Sequence, residues 1–286
     1  LQGDILKLFL DLKTIIKILI WLLPVMWCGN AMPQHYYVVN SRGVMPNDTV
    51  MAFVPKDYSV ECGRQFPAVI LLNGFGGNYR QWSRVADLQL YADEYGMILI
   101  CPDGFADSWY IDSPIDSTAR YATFFREEIL PSMFKHFNID SCNLFITGLS
   151  MGGHGALTLF MQNSDRFRAA GSMSGVMHLR SSSVSGSIAK LIGPKTQANT
   201  NWETYSVLYN TEKLAAAGKP IIVNCGSEDY LVKVNRQLAA KCKEQNINIV
   251  YSESPGKHER DYWKRTLPGQ LMYFRQFVNK PLYNED

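Results

Sequence analysis

A chain of 286 residues with 47% hydrophobic and 12% aromatic content can bury one large α/β domain or two small ones. Its formal net charge of +2 comes without a long basic or acidic run, which excludes an electrostatic nucleic-acid footprint and argues against a polyanionic substrate. The cysteines form no C-x-x-C pair, so zinc-site and thioredoxin-like readings have no support.

Lys13 and Lys17 precede an apolar run at residues 18–28, too short to span a bilayer as a helix but suited to the core of a secretory signal. Gly29, Asn30 and Ala31 then supply the small residues a signal peptidase reads. Cleavage after Ala31 is expected, leaving residues 32–286 as a secreted or periplasmic domain without stable membrane insertion. An uncleaved anchor is the alternative, since Trp21 and Trp27 make the run bulky. The same Trp27 argues against lipid attachment at Cys28. The mature chain keeps Cys62, Cys101, Cys142, Cys225 and Cys242, an odd set in which at least one thiol stays unpaired. Cys101 and Cys225 end apolar runs and read as small buried hydrophobes.

Residues 34–39 and 50–54 read as an antiparallel hairpin, and residues 68–72 as the first fully buried strand. Three glycines crowd the loop Asn73-Gly74-Phe75-Gly76-Gly77-Asn78 that follows. A helix is expected over residues 82–95 and a strand over 97–101. A long helix over 118–137 carries apolar Phe124, Phe125, Ile129, Met133 and Phe137 at roughly helical spacing, with Pro131 predicting a kink.

Ile146-Thr147-Gly148-Leu149-Ser150-Met151-Gly152-Gly153-His154-Gly155 reads as a buried strand, a sharp turn carrying a serine, and a helix start. The G-x-S-x-G spacing has a steric cause: the serine occupies a strained conformation, and Gly148 and Gly152 leave room for strand and helix to cross. Strands follow at residues 169–173, 220–225 and 248–251, with helices at 232–246 and 262–278. Between 174 and 219 the strand–helix rhythm lapses into a Ser-rich insertion, expected over the C-terminal edge of the sheet. This alternation predicts a mostly parallel sheet covered on both faces.

A serine hydroxyl is a poor nucleophile at neutral pH and needs a base, which in turn needs a carboxylate to fix its tautomer. On such a sheet the order along the chain is serine, acid, histidine. His35 and His136 precede Ser150, and His154 and His178 come before the last two strands, so His258 is the candidate base. Asp229, after the strand and glycine turn at residues 221–226, is preferred as the acid over Glu228, which is expected to face solvent. The oxyanion donors should be the amide of Met151 and one from the glycine-rich loop, with Phe75 ahead of Gly76. Ser172 and Ser174 read as a strand terminus, and His154 as a residue that packs or caps the elbow helix.

Taken together, residues 71–78 with Trp82, Cys101-Pro102-Asp103-Gly104, residues 147–156, Gly171-Ser172-Met173-Ser174-Gly175, Cys225-Gly226-Ser227-Glu228-Asp229 and Pro255-Gly256-Lys257-His258 resemble a known family. It comprises esterases of the α/β-hydrolase superfamily, including S-formylglutathione hydrolases, tributyrin, feruloyl and acetyl-xylan esterases, and mycolyltransferases. The chain departs from that family at Asn73, where a histidine is usual, which implies altered hydrogen bonding in the oxyanion loop. Trp82, together with Trp109 and Tyr110 beside Asp107, is a candidate to line an acyl or aromatic pocket; a plain surface role is the alternative for the last two.

The resemblance implies an α/β-hydrolase fold and a serine carboxylesterase that works without metal or organic cofactor, and the expected leader makes it a secreted one. Its substrates would be acetyl, feruloyl or short-chain esters, small or linked to extracellular material such as plant polysaccharide. Two alternatives stand beside this reading: acyl transfer to a sugar or lipid alcohol, and a carbohydrate-binding relative without activity. Oligomeric state carries no signal in the sequence.

Overall fold

A computed structural model describes residues 34–278 apart from 44, 62 and 182–184. The expected leader at 1–31, with Cys28 and Cys62, lies outside the described residues. Within them runs an eight-stranded sheet in the order β1-β2-β4-β3-β5-β6-β7-β8. Its strands are β1 (Gln34–Val39), β2 (Asp48–Phe53), β3 (Phe66–Leu72), β4 (Ile98–Cys101), β5 (Ile139–Gly148), β6 (Ala169–Met173), β7 (Ile221–Gly226) and β8 (Ile249–Ser254). β1 and β2 form the antiparallel hairpin, β2 pairs antiparallel with β4, and the remaining neighbours are parallel.

Alternation along β3 serves both faces. Phe66, Ala68, Ile70 and Leu72 enter one apolar cluster, while Val69 and Leu71 enter the other. The first cluster is closed by α3 (Tyr121–Phe124), α4 (Leu130–His136), α5 (Met151–Gln162) and α9 (Val232–Glu244), through side chains such as Phe124, Met133, Phe160 and Leu238. The second is closed by α1 (Gln81–Val85), α2 (Leu88–Tyr95) and α10 (Arg260–Arg275), through Trp82, Leu88, Leu271 and Phe274. From β3 the chain steps to β4 on one side and β5 on the other, which opens a crevice at their C-terminal ends where sites form in such sheets.

Three elements differ from expectation. The helix expected over 82–95 is two, because Ala86 is extended and the Asp87 carboxylate accepts from the Leu90 amide (3.1 Å) to start the second. The helix carrying Pro131 passes through a π turn at Phe125–Ile129, which accommodates a residue with no amide to donate to the preceding turn. The insertion at 174–219 is largely helical: α6 (Ser185–Ile192), α7 (Asn201–Thr204) and α8 (Thr211–Ala217) join two short 3-10 turns. Its helices are too short to stand alone and are tied down by tertiary bonds, among them the Arg180–Glu203 ion pair and the bond that the Ser113 hydroxyl donates to the Leu191 carbonyl (2.5 Å).

One buried amide latches α10 to the sheet. Gln270 accepts from the Thr147 hydroxyl on β5 and donates to the Ser172 carbonyl on β6 (3.1 Å) and to Asn224 Oδ1 on β7 (2.7 Å). Cys101 and Cys225 are buried thiols, and Cys142 and Cys242 are also unpaired. Among the described residues no helix is long and apolar enough to cross a membrane.

Candidate active site

Ser150 sits between β5 and α5 with φ +56° and ψ −116°, a conformation a non-glycine residue adopts only when its surroundings enforce it. The enforcement is visible on both sides: the Leu149 amide donates to the Leu72 carbonyl (3.3 Å), and the Ser150 amide to the Met173 carbonyl (2.9 Å). A Cβ on Gly152 would lie 2.3 Å from the Leu72 carbonyl oxygen, and one on Gly148 2.3 Å from the Gly152 carbonyl oxygen. Strand and helix therefore cross at a distance only glycine permits.

The His258 imidazole joins this hydroxyl to a carboxylate. Ser150 Oγ lies 2.9 Å from His258 Nε2, and His258 Nδ1 lies 2.9 Å from Asp229 Oδ2. Asp229 accepts at Nδ1, so that nitrogen carries the proton and Nε2 is left to accept from the serine. The other carboxylate oxygen, Oδ1, accepts from the Leu231 amide (2.8 Å). Burial alone would raise the Asp229 pKa. The hydrogen bond and positive field of His258, with the Leu231 amide, outweigh burial and hold the carboxyl below its ordinary value. Glu228 is exposed.

Acid and base loops are stitched together. The Ser227 amide donates to the Ser254 carbonyl (2.9 Å) and the Glu228 amide to the Gly256 carbonyl (3.0 Å). A Cβ on Gly226 would lie 2.2 Å from that same Gly256 oxygen. Two aromatic rings pack on the imidazole: Tyr230, with centroids 4.6 Å apart, and Trp263, edge-on at 5.1 Å.

The glycine-rich loop lies against the elbow, with Gly74 beside Leu149 and Ser150. Its Gly76 amide donates to the Ala106 carbonyl (2.7 Å), and its Gly74 amide to Gln81 Oε1 (2.6 Å). Both amides are committed, whereas those of Phe75 and Met151 have no hydrogen-bond partner among the described residues. Met151 also heads α5, where the helix dipole favours negative charge. Asn73 is buried and bridges loops: Oδ1 accepts from the Gly104 amide (2.8 Å), and its carbonyl accepts from the Tyr110 hydroxyl (2.7 Å).

Trp82, Trp109 and Tyr110 do not line a substrate pocket, contrary to expectation. Their exposures are 1%, 0% and 0%. The Trp82 indole donates to the Leu72 carbonyl (2.9 Å) beneath the elbow. Trp109 and Tyr110 have φ of +51° and +60°, which turn their side chains inward. There the Trp109 indole meets Ser187 Oγ (2.9 Å) and Tyr110 fills the space beside Gly155. His154 is buried, packs edge-on to Trp109 and bonds the Tyr205 carbonyl (2.8 Å); burial lowers its pKa to about 4 and keeps it neutral. Gln81, Tyr230 and Trp263 escaped the sequence reading, although Tyr230 follows Asp229 directly and adjacency alone could have flagged it. Among the described residues no three His, Cys, Asp or Glu side chains group to hold a metal ion.

The family model described as "Putative esterase" matches residues 43–274. The chain belongs to this esterase family. The esterase is 26% identical over 259 residues to the acetyl esterase of Caldicellulosiruptor saccharolyticus, covering 79% of this chain and 92% of the relative. To the S-formylglutathione hydrolase of Mus musculus it is 23% identical over 239 residues, covering 74% and 84%. The esterase shares its fold with a solved ferulic acid esterase at a TM-score of 0.73 and 22% identity, over 86% of this chain and 98% of that one. Its sheet and helices are those of an α/β-hydrolase.

Proposed function

We propose that the chain is a secreted serine carboxylesterase acting through an acyl-enzyme on Ser150, with acetyl and other short-chain or feruloyl esters as substrates, free or carried on extracellular polysaccharide. The observation that carries the mechanism is the unbroken chain of two 2.9 Å contacts from Ser150 Oγ through His258 to Asp229. In the first half-reaction Oγ attacks the ester carbonyl carbon while its proton passes to His258 Nε2. The tetrahedral oxyanion takes hydrogen bonds from the Phe75 and Met151 amides, and Asp229 stabilises the imidazolium. His258 returns the proton to the ester oxygen as its bond to carbon breaks and the alcohol leaves. Water then gives a proton to His258 and attacks the acyl-enzyme; the same proton returns to Ser150 as the acid departs. No step requires a metal or organic cofactor.

The acetyl preference draws on the C. saccharolyticus relative, the feruloyl alternative on the shared fold. Residues 1–31 act as the export leader in this reading, and residues 32–286 as the esterase domain. Ser150→Ala and His258→Ala should each remove nearly all 4-nitrophenyl acetate turnover, and a fluorophosphonate should label the wild type stoichiometrically at Ser150. Retention of more than about a tenth of turnover by His258→Ala would overturn the assignment of the base. Added alcohol acceptors separate hydrolysis from acyl transfer by the products formed.

A further inference from the structure

With Trp82, Trp109 and Tyr110 withdrawn into the core, the aromatic surface beside the reacting groups is a different one. Tyr230 is 56% exposed, and its ring packs on the His258 imidazole. Its ring lies 4.6 Å from the imidazole, tilted by 49°. Trp263 packs on the same imidazole but is only partly exposed, so of these two rings Tyr230 is the one that turns more of its surface to solvent.

The geometry of the reaction says which half of the ester meets Tyr230. The carbonyl oxygen must point to the Phe75 and Met151 amides, and the departing alcohol oxygen must come within about 3 Å of His258 Nε2 to receive its proton. The carbon skeleton attached to that oxygen is thus placed beside the imidazole and the ring packed against it. An aromatic face offers a rigid apolar platform at small conformational cost and favours flat or ring-shaped partners over short flexible chains.

We propose that Tyr230 forms the alcohol-side subsite, a platform for an ester whose alcohol carries a ring with an apolar face, either a pyranose or an aryl group. The inference rests on the acyl-enzyme reading and adds to it the class of alcohol. The test compares kcat/KM for three acetates: phenyl acetate, an O-acetylated methyl xylopyranoside and ethyl acetate. In Tyr230→Ala the ratio of a ring ester to ethyl acetate should fall about five- to tenfold, and Tyr230→Phe should restore it. A fall for phenyl acetate alone names an aryl alcohol, and a fall for the xyloside a sugar. A parallel loss on all three esters, with slower fluorophosphonate labelling of Ser150, would assign Tyr230 to positioning His258 and overturn the subsite. An unchanged set of ratios in Tyr230→Ala overturns it too. Should wild type and Ser150→Ala turn over the esters alike, the acyl-enzyme reading fails and the subsite falls with it.

Discussion

Replacing Asp229 by asparagine separates the charge of the acid from its shape. The carboxylate uses both oxygens as acceptors, Oδ1 from the Leu231 amide at 2.8 Å and Oδ2 from His258 at 2.9 Å. An amide has one oxygen to offer. If that oxygen keeps the Leu231 amide, the new NH2 faces His258 Nδ1 and forces the proton to Nε2, where it blocks acceptance from Ser150. If the oxygen faces His258 instead, two donors meet at a buried site, at a cost of about 1–3 kcal/mol. The first arrangement therefore dominates by about five- to 150-fold. The competent minority also lacks the negative charge that stabilises the imidazolium. Together these effects should lower kcat/KM by about 10³–10⁴, in line with the asparagine substitution in another serine hydrolase. The assay is 4-nitrophenyl acetate hydrolysis at pH 7–8, with Glu228→Gln as the control expected within about twofold of wild type. Asp229→Asn retaining more than about a tenth of wild-type kcat/KM would refute the tautomer argument.

Other perturbations test the scaffold. Gly152→Ala drives a Cβ to within 2.3 Å of the Leu72 carbonyl oxygen and should cost about 3 kcal/mol of stability in urea unfolding; a change under about 0.5 kcal/mol would show that the crossing can relax. Trp82→Phe removes the indole bond to Leu72 and should lower stability by about 1–2 kcal/mol while leaving KM unchanged; a raised KM would return Trp82 to the substrate. His154 has its pKa lowered from 6.5 to about 4, so the unfolded chain takes up a proton that the folded chain refuses in that window. Stability should fall as pH drops from about 6.5 to 4, by about 3 kcal/mol more in wild type than in His154→Gln, and equal pH slopes would rule this out.

The succession of strands was readable, and Ser150, Asp229 and His258 stood out as candidates, because local signals mark them. A short apolar run such as Ala68-Val69-Ile70-Leu71-Leu72, with Pro67 before it and a glycine-rich loop after it, reads as a buried strand, and the glycine pair around Ser150 is required by a backbone crossing. The aromatics were not readable in this way. Whether Trp109 points to a cleft or to the core depends on its positive φ and on Ser187 arriving from the insertion, neither of which leaves a trace at residue 109 itself. The insertion misled for a related reason: helices as short as Asn201–Thr204 are held by contacts remote in sequence, so their own periodicity is faint. Asn73 illustrates a third case. The departure from the family's histidine was plain, but that its amide and carbonyl would fasten Gly104 and Tyr110 required the folded chain.

The Gln270 latch bears on how activity and folding are coupled. His258 enters the site on the short loop that leads into α10, and that helix is moored by one carboxamide to three strands at once. Because Leu271 and Phe274 of the same helix are buried in the core, the seat of the imidazole is set by the packing of that helix as well as by its carboxamide, and catalysis inherits its geometry from an element outside the site.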